Sequence, residues 1–171
     1  MAAEEDKGLN EALALAAPLY DFARYLTKSS AEADDLLQET FVRALAAYDR
    51  FEPGSNMKAW LFRILRNTFL DQRRRDKKQG RSTTLAEDMP NDEELLRDDI
   101  EIDFLKNVVA EDIERALMDL PEDSRLIVLL DFEGFDEQEI ADLAGCARGT
   151  VKSRLSRARA RLRTALAEYV K

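Results

Sequence analysis

The chain has 171 residues, which fits one domain or two small ones, and its 45% hydrophobic and 36% charged residues favour two modest cores over one large one. Cys146 is the only cysteine and there is no histidine, which excludes an internal disulfide and argues against a zinc site. No apolar run reaches membrane-spanning length and no basic-then-apolar leader ends in a cleavage site, so we expect a cytoplasmic protein without membrane insertion.

The net charge of −9 conceals an uneven distribution. Arg63 to Arg81 is basic, carrying Arg66, Arg73, Arg74, Arg75, Lys77 and Lys78 between its ends. Glu87 to Asp112 is strongly acidic, and Arg148 to Arg163 is basic without a single acid. Two basic faces joined by an acidic strap point to bipartite binding of a polyanion, against the plainer reading of solvated helix faces.

The pattern is helical almost throughout, with few glycines and prolines and no long alternating segment. Leu9 to Leu26 reads as helix, with Pro18 kinking it or starting a new one. Ser30 is the expected cap of a helix over 31–48, whose inward stripe is Leu37, Phe41, Ala44, Leu45 and Tyr48. The Pro53-Gly54 pair marks Phe51 to Ser55 as a loop. Asn56 is the expected cap of a helix over 57–76 that turns Trp60, Ile64 and Leu65 toward a core. These elements form a first domain, 8–78. Residues 79–106 are polar and acidic, with too little apolar surface to repay ordering, and are expected to be a flexible linker. A second domain, 107–171, holds four short helices: 108–118, 123–132, one beginning at Asp136, and 148–169. Asp136 and Glu139 have capping-box spacing, and Gly134 and Gly145 end helices. The fold class expected is all-α.

The last two of these helices, joined by Gly145, read as a helix-turn-helix. Ile140, Ala141, Gly145, Val151 and Leu155 lie inward, which leaves Lys152, Ser153, Ser156 and Arg157 outward near the start of the second helix. In such motifs that start enters the major groove, where Arg and Lys reach guanine and Ser reaches several base edges. An ordinary helical hairpin with a basic surface is the alternative reading of this pattern alone.

Leu120-Pro121-Glu122-Asp123-Ser124-Arg125, Glu139-Ile140-Ala141-Asp142-Leu143 and Gly149 to Arg159 closely resemble region 4 of extracytoplasmic-function (ECF) sigma factors of RNA polymerase. Asp34-Asp35-Leu36-Leu37-Gln38-Glu39-Thr40-Phe41 resembles the polymerase-binding helix of their region 2. Ala59-Trp60-Leu61-Phe62-Arg63-Ile64 with Asn67 resembles their promoter-melting helix. The resemblance covers nearly the whole chain in the right order.

That resemblance implies an alternative sigma factor, not an enzyme and without cofactors, that serves a stress response. Its partners would be core RNA polymerase (the clamp helices of the largest subunit and the flap), promoter DNA and an anti-sigma factor that holds it inactive. Carried onto this sequence, the −35 contacts fall on Arg148, Thr150, Lys152, Ser153, Ser156 and Arg157. The −10 and melting contacts fall on Phe51, Asn56, Met57, Lys58, Trp60, Arg63 and Asn67, with core packing the main expected role of Trp60. Base flipping there needs an apolar or aromatic wall and a few hydrogen-bonding groups. Core polymerase contacts fall on Asp35, Gln38 and Glu39. Leu36, Val42 and Leu126 are candidates for anti-sigma docking or for the core. Ala147 departs from the family's usual Pro or Ser and weakens the start of the last helix by ~1 kcal/mol if a cap is lost. Cys146, in the turn, is expected to act as a small hydrophobe.

Elements ~17 bp apart lie roughly 58 Å apart at ~3.4 Å per step. A linker of about 25 residues spans up to roughly 80 Å, so both elements are within reach together. In the free protein, the acidic strap around Glu93, Glu94, Asp98 and Asp99 is expected to compete with DNA for the basic faces. Two other classes compete with the sigma-factor reading. A stand-alone helix-turn-helix repressor would bind a palindrome without polymerase, and an adaptor of the same shape would bind no DNA.

Overall fold

The computed structural model describes residues 2–80 and 100–169, with side chains from 6 to 80 and 108 to 169. Residues 81–99, which hold Glu93, Glu94, Asp98 and Asp99 of the acidic strap and most of the expected linker, lie outside the described residues. Every regular element among those described is helical.

The first unit opens with α1 (Ala2–Ala14) and α2 (Ala16–Leu26), separated at Leu15. Pro18 thus sits in the first turn of α2, where its missing N–H is an unpaired donor in any case. Gly8 lets α1 lie against Tyr48; a Cβ there would collide with the Tyr48 hydroxyl. Helix α3 (Ser30–Ala47) is capped by Ser29 rather than Ser30. Ser29 is extended at φ −146°, and its hydroxyl accepts from the Glu32 amide at 3.1 Å. Ser30 is already helical and so cannot present a cap.

The phase of α3 also differs from the expected stripe. Ala33, Leu36, Thr40 and Ala44 are buried, Leu37 and Phe41 are half-buried, and Leu45 is 66% exposed. The cause is the inclusion of Thr40, whose hydroxyl donates to the Leu36 carbonyl at 2.6 Å and so enters the core satisfied. A 3-10 turn (Tyr48–Arg50) leads to the loop, and Asn56 caps α4 (Met57–Lys78) by accepting from the Ala59 amide at 3.0 Å. On α4, Met57, Leu61, Phe62, Leu65, Thr68 and Phe69 are buried, a wider stripe than Trp60, Ile64 and Leu65 alone.

The second unit begins with α5 (Ile100–Met118), so helix reaches into residues read as the end of the linker. It continues through α6 (Glu122–Phe132), α7 (Glu137–Ala144) and α8 (Arg148–Ala165), with a final 3-10 turn (Ala167–Tyr169). Its core is Ile127, Leu130, Ile140, Leu143, Val151 and Leu155, each below a twentieth exposed. Burying a side chain of this size stabilises by about 1.5–3 kcal/mol. The two cores form one contiguous cluster. Phe62 makes an edge-on contact with Phe22 of its own unit at 5.0 Å and another with Phe135 of the second unit at 5.4 Å.

Candidate nucleic-acid and polymerase interfaces

The helix-turn-helix is built from α7 and α8. The Asp136 carboxylate accepts from the Gln138 and Glu139 amides, both at 2.8 Å, and the Glu139 carboxylate accepts from the Asp136 amide at 2.8 Å. This reciprocal pairing satisfies donors that a helix start leaves orphaned. Gly145 ends α7 at φ +67°, a conformation that favours glycine. Ala147 precedes α8 without a side-chain cap. Val151, Leu155 and Ala158 fasten α8 to the core.

The other face of α8 is open. Arg148, Lys152, Ser153, Ser156 and Arg157 are exposed, and Thr150 is half-buried with its carbonyl accepting from the Ser153 hydroxyl at 3.1 Å. Glu137 of α7 lies 3.2 Å from Arg148 Nε and 3.7 Å from Lys152 Nζ. Exposed pairs of this kind are worth under about 1 kcal/mol, so a base edge or phosphate can replace them. Arg157 also lines a cleft with Leu120, Pro121, Ser124, Arg154 and Arg161, which extends the basic surface toward the start of α6.

In the first unit, Phe51 stacks near Tyr48 at 6.0 Å and meets Trp60 at 4.9 Å. Phe51 and Trp60 are half-buried, so together they form an aromatic wall with one accessible side. Arg63 and Asn67 are exposed on α4, and Asn67 Oδ1 accepts from Arg66 at 3.1 Å. Three of the residues expected beside them are otherwise engaged. Met57 is 1% exposed and belongs to the core, because it opens the buried stripe of α4. The Asn56 side chain is exposed but caps that helix. Lys58 Nζ donates to the Glu133 carbonyl of the second unit at 2.6 Å and lies 3.2 Å from the Glu133 carboxylate.

On α3, Asp35 and Gln38 are exposed and Glu39 is half-buried. Glu39 accepts from Arg43 at 2.8 Å, and Arg43 reaches across to Asp71 of α4 at 2.7 Å. The hydrogen bond from Arg43 holds the Asp71 carboxyl below its ordinary value, and the same bond raises the Arg43 guanidinium. One turn beyond Gln38, Val42 is 61% exposed. It extends the polar stripe into an apolar patch, as does Leu45, which the sequence reading placed inward. Leu36 and Leu126, by contrast, are core. Leu9, Leu13, Leu45, Tyr48 and Trp60 line an adjoining apolar groove. Phe132, at the end of α6, is 67% exposed.

Among the described residues there is no cluster of His, Cys, Asp and Glu suited to a metal ion, and no helix long and apolar enough to cross a membrane. Cys146 is a free, half-buried thiol in the turn before α8.

Residues 13–79 match the sigma-70 region 2 family and residues 110–162 match sigma-70 region 4. These boundaries enclose α2 to α4 and the helix-turn-helix respectively. The chain is 37% identical to the ECF RNA polymerase sigma factor EcfG of Rhodopseudomonas palustris, over 90% of this chain and 81% of that one. It is 35% identical to the ECF sigma factor SigE of Mycolicibacterium smegmatis, over 88% of this chain and 58% of that longer one. Among solved structures it resembles the sigma factor RpoE of Bartonella quintana in complex with the anti-sigma factor NepR. There the TM-score is 0.73 at 37% identity, covering 92% of this chain and 95% of that one. It also resembles CnrH in complex with the cytosolic domain of CnrY, with a TM-score of 0.64 at 25% identity, covering 96% and 90%. A first unit built as sigma region 2 leaves the stand-alone repressor and adaptor readings without support. Motifs, fold and relatives converge: the chain belongs to the ECF family of RNA polymerase sigma factors.

Proposed function

We propose that this chain directs core RNA polymerase to promoters by reading two DNA elements with two helices. The observation that carries the reading is α8. Its apolar stripe is buried while Arg148, Lys152, Ser153, Ser156 and Arg157 form an open face, within a helix-turn-helix of region 4 type. This face meets the −35 element in the major groove. Arg157 and Lys152 have the reach for guanine, and the serines for other base edges.

The aromatic wall of Phe51 and Trp60, with Arg63 and Asn67 on α4, serves the −10 element. A flipped base gains stacking on such a wall, and neighbouring cations hold its phosphates. Asn56 contributes by fixing the loop, and Lys58 by a phosphate contact once freed from Glu133. Asp35, Gln38 and Glu39 face the clamp helices of the polymerase largest subunit, with Val42 as an apolar anchor. Phe132 gives region 4 an apolar surface for the flap. The chain supplies recognition and carries no catalytic chemistry of its own; it acts in the cytoplasm, where polymerase is.

An anti-sigma factor is the proposed inhibitor. Two structural neighbours are complexes, one with an anti-sigma factor and one with a cytosolic domain of a partner. Leu9, Leu13, Val42 and Leu45 give this chain the exposed apolar surface that such a partner would cover.

The test is transcription in vitro over a genomic promoter pool, using core polymerase reconstituted with the chain. Specific transcripts are expected, and Asp35→Lys/Glu39→Lys should weaken association with core. Failure to bind core, together with tight binding of the chain alone to a palindrome, would replace this reading with the repressor.

A further inference from the structure

Acids of α6 and α7 hold the cations of α8 unevenly. Glu137, half-buried in the first turn of α7, lies 3.2 Å from Arg148 Nε and 3.7 Å from Lys152 Nζ. Asp131 of α6, also half-buried, accepts from Arg159 at 2.7 Å. Asp123, in the first turn of α6, lies 3.5 Å from the Arg154 guanidinium. Among the described residues, no acid lies within ion-pair distance of Arg157, Arg161 or Arg163.

The pairing follows the helical repeat. Positions 148, 152 and 159 fall on one stripe of α8, and Glu137 and Asp131 lie along it. Positions 154, 157 and 161 fall on the opposite margin, where they line the cleft beside Leu120 and Ser124. One margin is neutralised by its own neighbours. The other is open except at Arg154.

The start of α7 is guarded in the same sense. The free amides of a helix N-terminus attract phosphate. Here the Asp136 carboxylate takes the Gln138 and Glu139 amides, and Glu137 adds a charge of the same sign as phosphate.

Attraction to phosphates is independent of sequence and grows with each cation that DNA engages, through the counterions released. A cation that must leave a carboxylate to meet a phosphate gains less, because the freed carboxylate takes up a counterion in turn. Arg157 has no acid to leave, so its contacts to base edges keep their full strength.

Resting on the assignment of α8 to the −35 element, we propose that Glu137, Asp131 and Asp123 are specificity-determining residues. They compete with phosphates for the cations of α8 and suppress sequence-independent binding of duplex DNA. The −35 contacts then depend on base edges more than on charge.

The test uses the full chain with Glu137→Gln, Asp131→Asn and Asp123→Asn together, and a labelled duplex of scrambled sequence. A control triple, Glu111→Gln/Asp119→Asn/Glu168→Gln, makes the same change in net charge at exposed acids that hold no cation of α8. Fluorescence anisotropy over a salt series should show the first triple binding about tenfold or more tighter than wild type at low salt. Its affinity should also fall more steeply with salt, by roughly one power of the salt concentration or more. The control should stay close to wild type. In reconstituted holoenzyme, the first triple should lose part of the discrimination between a cognate promoter and the same promoter with its −35 block replaced. Equal affinity of wild type and first triple for the scrambled duplex, an unchanged salt slope, or an equal gain in the control would each overturn the competition. Tighter duplex binding with undiminished promoter discrimination would overturn its role in specificity. If the triple does not fold by circular dichroism, Glu137→Gln alone against Glu168→Gln makes the same comparison. If no chain binds core at all, the sigma-factor reading fails, while the duplex measurement on the free chain still decides the competition.

Discussion

Helices α4 and α8 are the two long basic helices of this chain, and they spend their charge differently. On α4, Lys58, Arg66 and Arg73 are committed to protein partners in the second unit. On α8, Lys152 and Arg157 face solvent. The difference lies in the apolar stripe beneath. The stripe of α4 is wide: Leu61, Leu65 and Thr68 are buried along with Phe62 and Phe69, and Phe62 meets aromatic rings of both units. The stripe of α8 is Val151, Leu155 and Ala158, which leaves most of its circumference free. A broad apolar stripe recruits packing on two sides, and cations at its margins then find helix ends instead of water.

Removing Phe62 should have the largest effect, because it serves both units. Phe62→Ala is expected to cost about 3–5 kcal/mol in denaturant unfolding and to weaken the packing of Phe22 and Phe135 alike. Leu155→Ala, on the narrower stripe of α8, should cost about 2–5 kcal/mol and disturb the second unit alone, an asymmetry that amide exchange unit by unit would reveal. Asp136→Ala removes the half of the capping box that accepts from the Gln138 and Glu139 amides, while the residue 136 amide can still donate to Glu139; about 0.5–2 kcal/mol is expected from thermal unfolding, with −35 recognition lowered through a less rigid α7.

The smallest effect concerns the link between α3 and α4. Because the folded Asp71 carboxyl is held below its ordinary value of 3.8, the stability it adds is fully present above that pH. It is lost as pH falls through the lower folded value. The group is 42% exposed, so the contribution should stay under about 1 kcal/mol. Asp71→Asn should flatten the stability profile only at that acid end; a difference near neutrality that grew with rising pH would contradict the assignment.

Much of the second unit was legible in the sequence, because its signals are local. Asp136 with Glu139, the glycine at 145 and the spacing of Val151, Leu155 and Ala158 each specify geometry within a few residues. The exposure of Arg148, Lys152, Ser153, Ser156 and Arg157 follows directly from that phase. The first unit was less legible. Thr40 looks polar in sequence, yet its backbone hydrogen bond admits it to the core, and this turns α3 so that Leu45 faces out. Met57 reads as a −10 contact beside Asn56 but begins the buried stripe. The engagement of Lys58, Arg66 and Arg125 depends on helix ends 75, 78 and 99 residues away, and nothing local marks it.

The most direct test of the two-helix account is to exchange promoter elements one at a time. Reconstituted holoenzyme would be assayed on a cognate promoter, on the same promoter with its −35 block replaced, and with its −10 block replaced. Wild type should lose transcription on either replacement. Lys152→Ala/Arg157→Ala should transcribe the intact promoter at least about 30-fold less well, at ~1–3 kcal/mol for each base contact. That variant should then be indifferent to the −35 block while remaining sensitive to the −10 block. A variant that still discriminates the −35 block as wild type does would contradict the assignment of α8 to that element.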